Sequence, residues 1–388
     1  MIPVYLEAGI GGKLHSLYKE LISYPPEGYI FHVKPGTIDN GRSFHTQNMA
    51  STIPRTLYDT VVPFGTFAYS WLNKWTNGFS GLIYSSQHLF FGKKPWIVDM
   101  EFATALVSYA KIGSFKHSIQ KSLVSRNCKK IIPWTDMGKK SLLNCLDCKK
   151  FEDKIETVHL AVRPKNFIKK YNNEKVKILF VGTGNPWNAS DSFYIKGGRE
   201  VLMAFKYLSE RYNNLELVIR SNMPDYVLTK WTKNQNITII NKTVPWCELS
   251  EIFQTSDVFL FPAHITPGMV LLDAMSYELP VITTDLWANP EMVEDGETGF
   301  LVKKSEKIPY VKKNLIPNWG TRHFASYISN PDPDVVQDVV DKTSILIEDE
   351  KLRRRMGRAA RKEIETGKFS IKERNEHLKK IFNEALDD

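Results

Sequence analysis

The residues in this sequence best suited to chemistry are those that could hold a phosphate group. Residues 262–275 follow an apolar run and predict a helix that begins near Thr266, a favoured N-cap that precedes a proline suited to the first turn. The amides of Gly268 and Met269 would then lie without partners at the helix start, where free N–H groups and the helix dipole attract anions. This segment is a candidate phosphate site. The alternative is a well-capped core helix whose Asp273, further along, faces solvent.

A second candidate phosphate site lies in a loop that contains glycines. Gly182 follows the predicted strand 177–181, and Lys196 stands before two glycines at the start of the next predicted helix. There its ammonium group could meet a diphosphate held by backbone amides. The full Walker spacing GxxxxGK(S/T) is absent, so a flexible loop with a solvated lysine is the alternative.

Two groups of residues near the N-terminus are further candidates. Gly11 and Gly12 follow the first predicted strand, where glycines permit close approach of a ligand to the backbone, although a plain tight turn accounts for them equally. Asp99 and Glu101 end a later strand and share one face by strand alternation. The alternative is that one of these acids caps a helix beginning near Ala103.

The candidates lie at the ends of strands in a repeating order of strand, turn and helix. Short β-rich runs alternate with helical stretches such as 109–125, which is typical of parallel βαβ units with helices on both faces of the sheet. The pattern restarts after a polar stretch at 165–174, and residues 199–211 predict a helix with one apolar face. The runs predicted as strands include 81–84, 95–99, 129–133, 157–160, 177–181, 215–219, 237–240, 258–261 and 280–283.

This order of elements predicts two doubly wound, Rossmann-like α/β domains. We place the N-terminal domain at 1–165 and the C-terminal domain at 166–369, with an insertion near 303–330. A C-terminal helix at about 370–388 is expected to pack back on the first domain. Ligands bind beyond the carboxyl ends of strands in open α/β sheets, so two such sheets facing each other would place a central cleft between them.

Composition and charge exclude several classes of protein. Lysine and arginine number 52 against 43 acidic residues, and the net charge of +9 favours an anionic partner. Arg353–Arg355 is interpreted as a solvated helix face or a weak contact with an anionic membrane surface, and no basic and aromatic motif indicates nucleic acid. No long apolar run predicts a membrane span, no secretion signal is recognised, and a cytoplasmic protein is expected. Four cysteines predict neither a disulfide framework nor a zinc site.

Several of these segments, in this order and spacing, resemble the retaining nucleotide-sugar glycosyltransferases of family 4, which have the GT-B fold of two facing Rossmann-like domains. The likeness extends over nearly the whole chain and is firmest at 177–302. The segments that carry it are Val181-Gly182, Lys196-Gly197, 249–262, Gly268–Met275, Leu279–Ile282 and 291–302. The resemblance implies that the C-terminal domain binds the nucleotide-sugar donor.

The resemblance also implies roles for particular residues of the C-terminal domain. A diphosphate would meet Lys196 and the helix start at Gly268, and Asp273, at the second of two positions where the family carries glutamate, would bind the ribose. The full predicted donor-binding set is Gly182, Thr183, Lys196, Arg199, Ile265, Thr266, Gly268, Met269 and Asp273.

In the N-terminal domain, the resemblance implies a phosphate and acceptor loop formed by Gly11, Gly12 and Asp99. Glu101 lies where the family often has a histidine, and it is predicted to contact the acceptor or the transferred sugar. Lys196, Asp273 and Glu101 are the residues predicted to act in catalysis.

Two positions depart from the family pattern. Ile265 stands at the first glutamate position and cannot accept a hydrogen bond from a sugar hydroxyl. His264 beside it could substitute, although adjacent side chains on an extended segment point to opposite sides. Thr183 stands where the family usually carries a phosphate-binding arginine, and Arg199 or Arg220 could supply that charge.

The function implied is transfer of a sugar from a nucleoside-diphosphate sugar to a hydroxyl of a glycan or lipid-linked acceptor, with retention of configuration. No metal and no cofactor are expected, since the lysine and the helix start would neutralise the diphosphate. Peripheral contact with the inner face of the membrane is expected because many relatives use lipid-linked acceptors, and nucleic acid is not expected as a partner. The alternatives are a nucleotide-sugar epimerase and a catalytically impaired nucleotide-sugar-binding protein, the latter favoured by Ile265.

Overall fold

The computed structural model describes residues 1–7, 14–33, 55–72, 80–169, 171, 174–182, 189–265, 268–308 and 326–387. They divide into two units. Unit 1 contains those within Met1–Ala161 and Lys368–Asp388, and unit 2 contains those within Val162–Tyr310 and Pro317–Gly367. Four predicted site residues, and residues 309–325 of the predicted insertion, lie outside the described residues; the four are Gly11, Gly12, Thr183 and Thr266.

Unit 1 is built on a five-stranded parallel sheet. Its strands are β1 (Ile2–Glu7), β2 (Tyr29–Val33), β3 (Leu82–Ser86), β4 (Trp96–Met100) and β5 (Cys128–Pro133). Their order is β2-β1-β3-β4-β5. All five residues of β4 are buried, as expected for a central strand covered by helices on both faces.

Four of the described helices of unit 1 come before Leu146 in the chain. They are α1 (Ser16–Ser23), α2 (Arg55–Leu72), α3 (Lys116–Val124) and α4 (Asp136–Cys145). Helix α4 begins after Thr135, a residue type favoured at the N-cap. The Thr135 side chain accepts a hydrogen bond from the Gly138 amide at 3.0 Å and so caps the helix.

Unit 2 is built on a six-stranded parallel sheet. Its strands are β6 (Val176–Val181), β7 (Leu215–Arg220), β8 (Ile237–Ile240), β9 (Val258–Phe261), β10 (Val281–Thr284) and β11 (Gly299–Val302). The order is β11-β10-β9-β6-β7-β8, which is the strand order of the Rossmann fold. The order reverses between β6 and β9, and ligands of such sheets bind beyond the carboxyl ends of the strands at that point.

The helices of unit 2 surround this sheet. They are α5 (Ala189–Ile195), α6 (Gly198–Arg211), α7 (Asp225–Trp231), α8 (Trp246–Gln254), α9 (Met269–Ser276), α10 (Asn289–Met292), α11 (Pro333–Glu348) and α12 (Glu350–Glu365). The predicted apolar face of α6 is confirmed, since five apolar residues of this helix are buried: Val201, Leu202, Ala204, Phe205 and Leu208. In the sheet, the Phe261 ring of β9 stacks on Phe180 and Phe259 at centroid distances of 6.2 and 5.9 Å.

The last helix, α13 (Ile371–Asp387), belongs to unit 1. Its Phe382 packs edge-on against Tyr29 at a centroid distance of 5.0 Å. Arg374 donates a hydrogen bond to the Tyr24 carbonyl at 2.6 Å. These contacts join the end of the chain to the segment around β2.

Two predicted elements of unit 1 differ from the structure. Residues 157–160 do not form a strand, although the Val158 amide donates to the Pro133 carbonyl at 3.0 Å beside the end of β5. The helix predicted at 109–125 begins at Lys116. Tyr109 has φ of 63°, a left-handed backbone outside the α-helical region, and a short 3₁₀ turn at Gly113–Phe115 precedes α3. The prediction of two doubly wound α/β domains is nevertheless confirmed by the two parallel sheets.

Candidate functional site

Lys196 lies at the carboxyl end of the unit 2 sheet, in the turn between α5 and α6. Gly197 in this turn has φ of +80°, and a Cβ at that position would collide with the Pro262 carbonyl. The glycine therefore lets the turn pack closely against the segment that leaves β9. Phe261 is the last residue of β9, and the Lys196 Nζ atom lies 5.7 Å from the centre of its ring.

Arg220 contributes a second positive charge beside Lys196. It ends β7, its side chain is buried, and its Nη1 donates to the Gly182 carbonyl at 3.1 Å. Burial and the charge of Arg220 together lower the pKa of Lys196 to about 8. Among the described residues, neither cation has a carboxylate partner, and Nε of Arg220 is buried without a hydrogen bond. Two poorly hydrated positive charges without a counterion favour the binding of an anion.

Gly182 brings the ends of β6 and β7 together at this site. Its amide donates to the Arg220 carbonyl at 2.8 Å, and a Cβ here would collide with the Ser221 hydroxyl. Any larger residue would therefore displace the strand end that positions Arg220.

The start of α9 differs from the prediction. The helix begins at Met269 with Gly268 at the N-cap, because Gly268 has extended backbone angles of −94° and 172°. The N-cap therefore lies two residues later than the predicted N-cap at Thr266. No described residue accepts a hydrogen bond from the amides of Gly268 and Met269, and a Cβ at Gly268 would come no closer than 3.9 Å to the Val270 amide nitrogen. The predicted pair of free amides is thus present at this helix start.

Asp273, in the second turn of α9, does not face solvent as the alternative interpretation proposed. Its Oδ1 lies 3.9 Å from the Nζ atom of Lys165, and both side chains are largely buried. The same Nζ atom lies 5.1 Å from the centre of the half-exposed Trp246 ring, at the start of α8. The sequence does not indicate Lys165 or Trp246 as site residues, because no local pattern joins a residue of a polar stretch to two helices that are distant in the chain.

His264 is engaged in the interior of unit 2. Its Nε2 atom lies 3.1 Å from Oε1 of Glu200 on α6, both side chains are buried, and its amide donates to the Ile195 carbonyl at 2.7 Å. The suggested substitution of His264 for the carboxylate missing at Ile265 is therefore not supported by its contacts.

Arg199 and Arg220, the two candidates for the missing phosphate-binding arginine, are placed differently. The guanidinium group of Arg199 donates to the Ser329 carbonyl and lies 5.7 Å from the Tyr194 ring centre. Its contacts are thus with α5 and the segment before α11, whereas Arg220 lies beside Lys196. The structure favours Arg220 as the second cation of the site.

In unit 1, Asp99 differs from its predicted role at an acceptor surface. The carboxyl group is completely buried and accepts hydrogen bonds from the Tyr18 hydroxyl at 2.9 Å, the Tyr84 hydroxyl at 3.1 Å and the Gln87 amide at 3.0 Å. Burial raises its pKa to about 7 despite these donors. Asp99 therefore organises the interior at the ends of β3 and β4, and its side chain has no exposed surface in the structure.

Glu101 lies above this interior group in a small polar cluster. The Tyr109 hydroxyl lies 3.1 Å from Oε2 of Glu101 and 2.8 Å from Oε1 of Gln87. Gln87, Ser108 and Tyr109 all have positive φ, and strained backbone of this kind is concentrated at functional sites. Neither predicted acid caps the short helical turn at Ala103, whose amide donates to the Ser141 hydroxyl at 2.9 Å. Gln87 and Tyr109 are candidate site residues that the sequence did not indicate.

The cysteines of unit 1 provide no reactive or metal-binding group. Burial raises the pKa of Cys145 and raises that of Cys148 to about 11, so both remain thiols at neutral pH. In the ranges that the structure describes, no group of three or more His, Cys, Asp or Glu side chains could hold a metal ion.

Part of this chain is similar in sequence to a known protein family and to a curated protein. Residues 175–313 match the family model described as glycosyl transferases group 1. The capsular polysaccharide biosynthesis glycosyltransferase CapM of Staphylococcus aureus is 26% identical over 200 residues, which cover 49% of this chain and 43% of CapM. The match thus spans less than half the length of this curated relative.

Solved structures extend the similarity to both units. Sucrose-phosphate synthase from Thermosynechococcus elongatus has a TM-score of 0.64 at 12% identity, with all of both chains covered. Anabaena HepE, solved in complex with UDP and glucose, has a TM-score of 0.59 at 13% identity, with 99% of each chain covered. At these identities the similarity establishes the fold, and the predicted GT-B class of two Rossmann-like domains is confirmed.

Proposed function

We propose that the protein is a glycosyltransferase that moves a sugar from a nucleoside-diphosphate sugar to a hydroxyl group of a glycan or lipid-linked acceptor, with retention of configuration. The observation that carries the proposal is the pair of cations at the reversal of strand order in unit 2. Lys196 and Arg220 lack carboxylate partners among the described residues, and the free amides at the start of α9 follow β9 at the same end of the sheet. A diphosphate supplies the charge that such a site lacks.

In the proposed reaction, the bond between the anomeric carbon and the phosphate oxygen breaks. A bond from the same carbon to the acceptor oxygen forms, and the hydroxyl proton is released. The diphosphate gains negative charge as it leaves, so Lys196, Arg220 and the amides of Gly268 and Met269 would bind it more tightly in the transition state than in the bound donor. Groups fixed in this way are usually the largest contribution to catalysis.

Two further predicted residues, Asp273 and Glu101, have supporting roles in this scheme. Asp273, held near Lys165, would contact the ribose. Glu101 and Tyr109 would bind acceptor or sugar hydroxyls at unit 1. The relatives support a nucleotide-sugar donor, since HepE was solved with UDP and glucose. That the reaction needs no metal or further cofactor stays a prediction.

The first experiment is a thermal-shift screen with uridine, guanosine and adenosine diphosphates, followed by turnover assays with sugar derivatives of the nucleotide that binds. A ligand that binds only the folded protein raises its melting temperature by an amount that grows with concentration. We expect one nucleotide to stabilise the protein and its sugar derivative to be consumed only when an acceptor is added. Lack of response to every nucleoside diphosphate, or conversion of the donor without acceptor, would contradict the proposal.

A second candidate function, a nucleotide-sugar-binding protein without turnover, is favoured by Ile265. Its side chain cannot bind a sugar hydroxyl, and the neighbouring His264 is occupied by Glu200. The two functions are separated by Ile265→Glu, which restores the carboxylate that the family carries there. If the natural protein is impaired, this variant gains transfer activity; if the natural protein is an active enzyme, the variant changes its preference among donor sugars.

A further inference from the structure

A shallow groove on the surface of unit 2 lies between α6 and α7. Its floor includes the buried side chains of Leu202 and Val227, and its walls carry two cations and two aromatic rings: Arg199, Lys230, Tyr226 and Trp231. The groove encloses about 330 Å³ of empty space, part of which is open solvent. We call the site formed by these six residues the α6–α7 groove.

The aromatic surface of the α6–α7 groove is fixed in place and accessible. Tyr226 exposes 60% of its surface, and its hydroxyl shares a hydrogen bond with the hydroxyl of Tyr194 on α5. Trp231 is half-buried, and the Nζ atom of Lys230 lies 5.8 Å from the centre of its ring. A ligand that packs on rings held in this way has little side-chain freedom to remove when it binds.

The charge of the α6–α7 groove is positive. The Arg199 guanidinium donates to the Ser329 carbonyl, a neutral acceptor, and among the described residues neither Arg199 nor Lys230 has a carboxylate partner. The exposed Asp225 precedes Tyr226 in the chain but does not line the groove. Two cations without a counterion favour an anionic ligand, and a carboxylate can accept hydrogen bonds from both of them.

We propose that the α6–α7 groove binds a carboxylate-bearing sugar unit of a glycan, with the sugar ring over Tyr226 and the carboxylate against Arg199 and Lys230. One face of a pyranose ring consists of C–H bonds and the edge carries hydroxyl groups, so it matches an aromatic side chain that is apolar on its face and polar at its tip. The charged pair then selects acidic sugars over neutral ones.

The open shape of the groove favours a chain over a small molecule. A pocket for a small ligand buries most of the ligand surface, whereas an open groove leaves the neighbouring units of a polymer free to continue on either side. Aromatic rings beside basic groups also suit single-stranded nucleic acid. The position favours a glycan, because Arg199 lies in the first turn of α6, directly after the turn that contains Lys196.

The assignment to a glycan rests on the proposed glycosyltransferase function and narrows its acceptor to glycans that contain acidic sugars. An acceptor held at a second point has a raised effective concentration at the first. The groove would therefore act as an anchor for the glycan, separate from the residues that bind the diphosphate.

The Arg353–Arg355 tract, a second cationic cluster of unit 2, differs from the groove. Arg353 is buried and donates to the Leu346 and Ile347 carbonyls, and the Arg354 guanidinium lies 4.1 Å from the Tyr171 ring centre. Two of the three arginines therefore have partners within unit 2, and the membrane contact suggested from the sequence gains no support from them. Among the described helices, none is long and apolar enough to cross a membrane.

The test is calorimetric titration of the full chain, without nucleotide, with trigalacturonate and with its neutral methyl ester. We expect the natural chain to bind the acid about tenfold or more tightly than the ester. Lys230→Glu should remove this difference, and Tyr226→Ala should weaken binding of the acid about tenfold. The matched controls are Lys206→Glu and Tyr207→Ala, which change an exposed lysine and an exposed tyrosine of α6 outside the groove lining.

Several outcomes would overturn the proposal. These are absence of trigalacturonate binding, equal binding of the acid and the ester by the natural chain, or losses in the two controls as large as those in Lys230→Glu and Tyr226→Ala. A single-stranded oligodeoxythymidine tests the other polymer. If it binds more tightly than trigalacturonate and Tyr226→Ala removes that binding, the groove is a nucleic-acid site and the proposal is wrong.

Circular dichroism melts establish that the variants are folded. Lys230→Glu changes an exposed side chain, so it keeps the proposal testable if Tyr226→Ala does not fold. The nucleotide-induced rise in melting temperature should be the same in both variants as in the natural chain. Loss of sugar binding with this rise retained counts against the groove alone, whereas a natural chain that responds to no nucleotide counts against the proposed function.

Discussion

The cation pair of unit 2 and the buried carboxyl group of unit 1 are both ionisable groups whose pKa is shifted by burial, and they differ in their partners. Asp99 accepts hydrogen bonds from Tyr18, Tyr84 and the Gln87 amide. Lys196 and Arg220 have no carboxylate partner among the described residues. A buried ionisable group whose hydrogen-bond partners all come from the protein stabilises the fold. One that lacks an ionic partner is a candidate for binding a charged ligand. Burial alone therefore does not identify the site.

The largest expected effect comes from Lys196→Ala. Loss of a positioned cation should lower turnover about 100- to 1,000-fold and strongly reduce the nucleotide-induced rise in melting temperature. Without ligand the variant should be at least as stable as the natural protein, because a lowered pKa means that the folded state disfavours the charged form of Lys196.

The control for this prediction is Lys206→Ala, which removes an exposed lysine from α6, the helix that follows Lys196. Its turnover and nucleotide response should match those of the natural protein. If Lys196→Ala retains full turnover, the cation pair has no part in binding a diphosphate.

Asp99→Ala should produce the next largest effect, on stability and not on nucleotide binding. Two buried tyrosine hydroxyls and an amide would lose their acceptor, which costs about 2 to 4 kcal/mol of the free energy of unfolding. Asp99→Asn keeps an acceptor of the same shape and should cost less. Urea unfolding measures both. A nucleotide response lost in Asp99→Asn, with stability retained, would instead give Asp99 a direct functional role.

The free energy of unfolding should depend on pH through the buried carboxyl group of Asp99. The pKa of Asp99 is raised to about 7 in the folded state, above its value of about 4 in an unfolded chain. Between these values the folded state binds more protons, so the contribution of Asp99 is greatest below about pH 4 and is lost as the pH rises towards 7. Urea unfolding at several pH values should reveal this slope in the natural chain, and Asp99→Asn should remove it.

Nucleotide affinity should depend on pH in the alkaline range. Since the pKa of Lys196 is about 8, the ammonium form is lost as the pH rises above that value, and affinity for a diphosphate should fall about tenfold between pH 7 and pH 9. Lys196→Arg keeps its charge over this range. Calorimetric titration should therefore give a flat profile for Lys196→Arg; a slope shared by both proteins would assign the titration to another group.

Tyr109→Phe should have the smallest effect. It removes one hydroxyl group that contacts Glu101 and Gln87, so we expect a two- to fivefold rise in KM for the acceptor and little change in the nucleotide response. Acceptor-dependent kinetics at saturating donor measure this change. An altered nucleotide response with unchanged acceptor KM would place Tyr109 outside the acceptor contact.

Much of the fold could be predicted because its signals are local. β6 and β9 are short runs of buried Val, Ile, Leu and Phe bounded by turn residues, and the apolar face of α6 follows a helical period. One predicted helix of unit 1 is wrong at its start, and the cause is again local. The helix predicted from residue 109 fails where Ser108 and Tyr109 adopt left-handed backbone angles, a conformation their residue types do not announce.

The candidate site was predictable only in part. Gly182, Lys196 and the free amides at Gly268 were recognisable from residue type beside a strand end. The pairing of Lys165 with Asp273, and the burial of His264 against Glu200, join residues from separate elements. No spacing along the chain indicates such contacts.

By itself, the sequence determined the two α/β units and the glycines and lysine that stand at strand ends, because hydrophobic periodicity and backbone freedom are properties of neighbouring residues. Contacts between distant parts of the chain place Arg220, and not Arg199, beside Lys196, and they make Asp99 an interior residue. The physical reason is that solvation and electrostatic partnership depend on distances in space. Those distances are fixed when residues far apart in the chain pack together.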